Sequence, residues 1–132
     1  MLQLNVSDAS VKYLGKCHRL DLSHCNLITD ASVKYLGNCH KFNLCGCNLI
    51  TDYSVKYLGK CSNIQLFNCK LIINNGIKYI GNCYELNISY CPLITDKCLK
   101  YLKCHTLDIR DCHNISSKTI LNLRKTIKVL WY

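Results

Sequence analysis

The stretch "CHRLDLSHCNLITDASVKYLGN", Cys17 to Asn38, returns as "CHKFNLCGCNLITDYSVKYLGK", Cys39 to Lys60, with 15 of 22 positions identical. A unit this short cannot enclose a core of its own. It must bury its apolar face against copies of itself, which restricts the chain to a stacked, quasi-linear array. Cysteines mark the period at 17, 39, 61, 83 and 104, the last step being one residue shorter because "YLKC" lacks the glycine of "YLGKC". A second series, Cys25, Cys47, Cys69, Cys91 and Cys112, follows eight residues after the first. Between the two series lie Leu20 and Leu22, Phe42 and Leu44, Ile64 and Leu66, Leu86 and Ile88, Leu107 and Ile109. Apolar residues at period two predict a short strand in every unit, with one face buried.

After each second cysteine, "LITDASVKYLG" predicts a helix of about two turns. Thr29 or Asp30 can cap its start and Gly37 can end it. At 100° per residue, Val33 and Leu36 share the inner side, while Ala31, Lys34 and Tyr35 point away. One domain over 1–132 is expected, with a partial unit at 1–16, repeats at 17–38, 39–60, 61–82, 83–103 and 104–125, and a closing strand at 126–132 carrying Val129 and Trp131 in phase. Unit three departs from the pattern. Ile73-Asn74 replaces Thr-Asp, and Asn75-Gly76 predicts a looser turn there.

The spacing CxxLxLxxCxL, at Cys17, Leu20, Leu22, Cys25 and Leu27, followed by ITDxSVKYL, resembles the cysteine-containing leucine-rich repeat. That resemblance implies an α/β solenoid with a parallel sheet on its concave face and short helices on its convex face. The subclass is familiar from substrate-receptor subunits of F-box ubiquitin ligases, and similar arrays occur in giant DNA viruses and amoebae. It implies a protein-protein interaction module, with substrate recognition for ubiquitin ligation as the finer expectation.

The twelve cysteines allow three readings. Residues of equal phase stack at about 4.8 Å along such an array, so both series should run inside it as small buried hydrophobes with weak S–H donors. A zinc site needs convergent C-x₂₋₄-C pairs, and the "CGC" of Cys45 and Cys47 points its side chains to opposite faces. No metal or other cofactor is therefore expected. The start "MLQLNVSDASVKY" is not a secretory signal, so an intracellular, cytoplasmic setting is expected, the host cytoplasm if the protein is viral, and disulfides are disfavoured there. Cys45 takes the outward phase and is expected to be the exposed, modifiable thiol.

Outward strand positions form the candidate partner-binding surface: Arg19, Asp21, Asn43, Gln65, Phe67, Asn87, Tyr90, Asp108 and Arg110. They vary between units whose helices barely change, as a recognition face would, although drift at solvated positions leaves the same trace. Phe67 beside Tyr90 and Arg110 has the composition of an interface hot spot. An alternative anion or nucleic-acid site lies on the opposite side, in Lys34, Tyr35, Lys56, Tyr57 and Lys78. The net charge of +9 invites that reading. A solvated helix face with tyrosines packed over neighbouring turns explains the same residues, and the lysine excess matches an A/T-rich codon bias. Self-association through the N-terminal edge is a third reading. No membrane span is expected, and without a nucleophile, base and orienter in one place the chain reads as a non-enzyme.

Overall fold

The computed structural model describes residues 6–130. Six three-residue strands, β1 (Arg19–Asp21), β2 (Lys41–Asn43), β3 (Asn63–Gln65), β4 (Glu85–Asn87), β5 (Thr106–Asp108) and β6 (Lys128–Leu130), form one parallel sheet in sequence order. The register preserves the sequence period: Leu20 lies beside Phe42, then Ile64, Leu86, Leu107 and Val129. These central residues turn into the core, and from Phe42 to Leu107 they are buried. β6 falls within 126–132, the segment expected to close the array; Trp131 lies outside the described residues.

Each unit returns to the sheet through a short helix: α1 (Asp8–Val11), α2 (Asp30–Val33), α3 (Asp52–Val55), α4 (Asn74–Ile80) and α5 (Ser117–Leu123), with a 3-10 helix over Asp96–Tyr101 in the fourth full unit. Most are shorter than two turns, because 22 residues must also reach the next strand. Helices this short depend on tertiary bonds for their stability. The recurrent Thr-Asp pair supplies two such bonds at once. Thr29 Oγ1 accepts the Ala31 N–H at 3.1 Å and caps its own helix. Asp30 instead serves the next unit, accepting the Thr51 N–H at 2.9 Å and the Thr51 hydroxyl at 2.5 Å. Asp8 does the same for the backbone and hydroxyl of Thr29. Burial pushes the Asp8 carboxyl up, but these bonds outweigh it and hold its pKa below the ordinary value.

Unit three reverses the expectation of a looser turn. Here α4 is a continuous seven-residue helix, longer than α2 or α3. Asp52 accepts the Ile73 N–H at 2.9 Å and the Gly76 N–H at 2.7 Å, replacing the missing threonine cap from the preceding unit. A Cβ on Gly76 would lie 2.5 Å from Asp52 Oδ1, so glycine admits the carboxylate.

The cysteine columns are core. Cys39, Cys61, Cys83 and Cys104 are buried at the strand entrances. At the strand exits, each thiol donates to a carbonyl of the preceding unit: Cys47 to Leu22 at 3.1 Å, Cys69 to Leu44 at 3.2 Å, Cys91 to Leu66 at 3.2 Å and Cys112 to Ile88 at 3.1 Å. Cysteine thus fills a small space and satisfies a buried acceptor. Cys17 and Cys25, in the outermost full unit, are only partly buried. Cys45 needs correction: it is partly buried rather than exposed, its burial raises its pKa, and Cys17 and Cys25 are equally candidates for modification. We expect a soluble thiol reagent to label no more than these three in the native protein and all twelve cysteines in denaturant. Six or more fast-reacting native thiols, counted by mass spectrometry, would contradict this packing.

Candidate functional site

Four strand exits are built by the same turn. The side-chain oxygens of Asp21, Asn43 and Asn87 accept the N–H two residues on, from Ser23, Cys45 and Ser89, each at 2.9 Å, and Asp108 accepts from Arg110 at 3.2 Å. These are Asx turns. The following residue but two, His24, Gly46, Asn68, Tyr90 or Asp111, is left-handed, with φ between 56° and 71°. Four residues of the expected partner surface therefore serve the turn first. The sequence carries this signal as Asx at a constant phase, at Asp21, Asn43, Asn87 and Asp108. Gln65, one methylene longer, reaches across to Glu85 at 3.1 Å instead.

Asp108 is the clearest departure from the outward reading, being 7% exposed. Arg110 closes over it with Nε at 2.9 Å from Oδ1 and Nη2 at 2.6 Å from Oδ2, a forked pair that presents guanidinium rather than carboxylate to the solvent. Beside it, Phe67 and Tyr90 meet edge to face, with ring centroids 5.0 Å apart at 63°. Tyr90 stays 48% exposed. The neighbouring Asp111 carboxylate raises the phenol's pKa. The structure thus brings Phe67, Tyr90, Asp108 and Arg110 together.

The remaining candidates lie toward the other end of the sheet. Arg19 and Lys41 are register partners on β1 and β2. Both line a shallow depression of about 400 Å³ that also includes Asp21, Asn43, Gln65 and Glu85. Its acids are already engaged: Asn43 donates to Asp21 at 3.1 Å, and Glu85 accepts from Asn63 at 2.8 Å and from Gln65. His18 and His40 stack just before these strands, 4.8 Å apart. Among the described residues, Arg110–Asp108 is the one ion pair.

On the helical side, each lysine of the repeat sits over the tyrosine that follows it. The ammonium-to-centroid distances are 5.0 Å for Lys34 and Tyr35, 5.0 Å for Lys56 and Tyr57, and 4.7 Å for Lys78 and Tyr79. Lys56 also lies 4.0 Å from the Tyr53 ring. Such contacts are worth about 0.5–1 kcal/mol at exposed sites and hold the lysines along their own helices. Among the described residues no group of three His, Cys, Asp or Glu is placed to hold a metal ion, and no helix is long and apolar enough to cross a membrane.

A parallel sheet inside, short helices outside and a constant strand register define an open α/β solenoid of the leucine-rich repeat type. A family model described as Leucine Rich repeat matches residues 18–37. No curated protein matches the chain. Among solved structures, it is similar to a chain of the crystal structure of the Rad7 and Elc1 complex in yeast, with a TM-score of 0.78 and 18% sequence identity. The match covers 92% of this chain and 37% of that one, so this chain spans just over a third of its solved neighbour. At that identity the likeness is one of fold.

Proposed function

We propose that the chain is a protein-binding module whose partner docks on the concave sheet around Phe67, Tyr90 and Arg110. The observation that carries this reading is Tyr90. At the left-handed position the other units place His, Gly, Asn or Asp, most of which tolerate that backbone. A tyrosine there costs on the order of 1 kcal/mol, and strain of this kind gathers at functional sites. What it produces is an aromatic pair, Tyr90 exposed and Phe67 half-buried, beside a forked Arg–Asp pair that brings tyrosine and arginine, residue types enriched in hot spots, to one place. The rigid sheet holds them in place before binding, so little ordering entropy is lost on association.

Two lines support the reading. The solved neighbour belongs to a complex of two proteins. The concave face also carries nearly balanced charge, leaving most of the chain's +9 to the helices and edges. The finer reading is recognition of a substrate for ubiquitin ligation, which follows from the resemblance to substrate-receptor repeats. Action is by display, with no chemistry assigned to any side chain.

The test is a partner captured from nuclease-treated lysate of the source or host cell, purified and titrated by calorimetry. Phe67→Ala with Tyr90→Ala should weaken it about 30-fold or more, whereas Lys34→Glu with Lys56→Glu should change affinity less than 3-fold beyond the salt effect. The reverse ranking, or capture that vanishes with nuclease, would move the site to the lysine and tyrosine side.

A further inference from the structure

Arg19 and Lys41 are left over from that hot spot. Placed in register on β1 and β2, they put two positive charges about one strand spacing apart. Neither has an ion-pair partner among the described residues. The carboxylates lining the same depression are already used: Asp21 by Ser23 and Asn43, Glu85 by Asn63 and Gln65. Their repulsion is modest in water, and a bound anion reverses its sign. Both cations edge a depression of about 400 Å³ that opens on the concave face, so an incoming group would meet them together.

We propose that Arg19 and Lys41 form an anion subsite of the same interface, and that the partner presents an extended segment with a carboxylate or phosphate side chain about five residues from its apolar anchor. This rests on the concave-face reading and adds the partner's chemistry to it. The spacing follows from sheet geometry. From the Arg19–Lys41 pair to the Phe67–Tyr90 pair is two strands across, about 10 Å, and four to five residues along, at most about 13–16 Å since the strands end at Gln65 and Asn87 and the chain then turns. The diagonal is roughly 16–19 Å at most, which an extended chain covers in five to six residues at about 3.3 Å each. Two cations with no ion-pair partner among the described residues at one pole, and an aromatic pair at the other, fit a segment lying obliquely across the strands, acid at the β1–β2 end and anchor at the β3–β4 end. A carboxylate or phosphate gains charge-assisted hydrogen bonds from Arg19 and Lys41, and the neighbouring His18 and His40 rings are within the same corner of the sheet.

The experiment selects 12-residue peptides from a random library on the full chain, then measures synthetic winners by fluorescence anisotropy. The expected consensus pairs an acidic residue with a large apolar or aromatic one, five or six positions apart. Arg19→Gln with Lys41→Gln should weaken a winner about 10-fold, and so should Glu→Gln or Asp→Asn in the peptide. The two changes together should cost no more than either alone, since both delete one interaction. Circular dichroism of the variant checks that it folds, and the isolated Arg19→Gln change provides a milder version. Phosphoserine in place of the peptide acid identifies the source: tighter binding assigns phosphate, weaker binding assigns carboxylate, and either supports the subsite. If Phe67→Ala with Tyr90→Ala abolishes binding but the Arg19 and Lys41 changes do nothing, the subsite is refuted and the concave site stands. If neither pair matters, or no peptide is enriched, the concave reading fails with it.

Discussion

Between about pH 9 and pH 11 the protein should lose its native circular dichroism in one cooperative step. The cause is the buried thiols, those of the two columns and Cys98 in the 3-10 helix. Burial first of all pushes Cys47, Cys83, Cys91 and Cys98 up to about 12, Cys61 and Cys104 up to about 11, and Cys69 up as well, from an ordinary value of 9.0. Unfolded thiols release their protons near 9.0 while native ones still hold theirs. Below that value both states are protonated and nothing is lost; above it the unfolded chain binds fewer protons, so stability falls as pH rises toward the native values. At pH 10 each such thiol withdraws about 1.4 kcal/mol. Seven together withdraw on the order of 10 kcal/mol, comparable to the entire stability of a domain, about 5–15 kcal/mol. A pH titration followed at 222 nm checks this. A chain still native at pH 11 would mean that the columns are hydrated.

Replacing Gly81 by alanine should destabilise the fold by about 3 kcal/mol, a fall in Tm of roughly 10 °C. Local geometry argues the opposite. Gly81 closes α4 with φ −63°, a conformation alanine adopts readily, and by itself the change should stabilise by about 0.4–1 kcal/mol through the unfolded state. The next unit reverses the sign. A Cβ on Gly81 would stand 2.1 Å from the Tyr101 carbonyl oxygen and 2.8 Å from its carbon. Those are backbone atoms, so relief requires moving the whole following unit. Gly37 faces Tyr57 in the same way at 2.3 Å, whereas Gly59 has 2.9 Å to the Tyr79 oxygen. Thermal melts of the three alanine variants should rank Gly81 and Gly37 as costly and Gly59 as milder. An unchanged or raised Tm for Gly81→Ala would show that the units are not packed this closely.

The same contrast runs through the candidate site. Phe67 and Tyr90 were legible as outward neighbours, because they take adjacent outward positions on neighbouring units, 23 residues apart. Asp108 was legible in phase but not in exposure, since its closure by Arg110 depends on two side chains folding toward each other over a turn. Asp21, Asn43 and Asn87 looked like display residues until their Asx turns appeared. Arg19 and Lys41 are 22 residues apart, so the period alone sets them on neighbouring strands; what it does not show is that the acids around them are engaged elsewhere.

The period, strand phase, solenoid architecture and buried cysteine columns follow from the sequence alone, because each is a property of one unit multiplied by stacking. Only the tertiary structure decided that Thr29 caps its own helix while Asp30 serves the next, that Gly81 exists for a neighbour's carbonyl, and that unit three keeps a full helix through Asp52. Those choices depend on partners 20 or more residues away, one unit along the stack. A hydrophobic pattern specifies which face is buried, but not which polar atom across the interface will meet it.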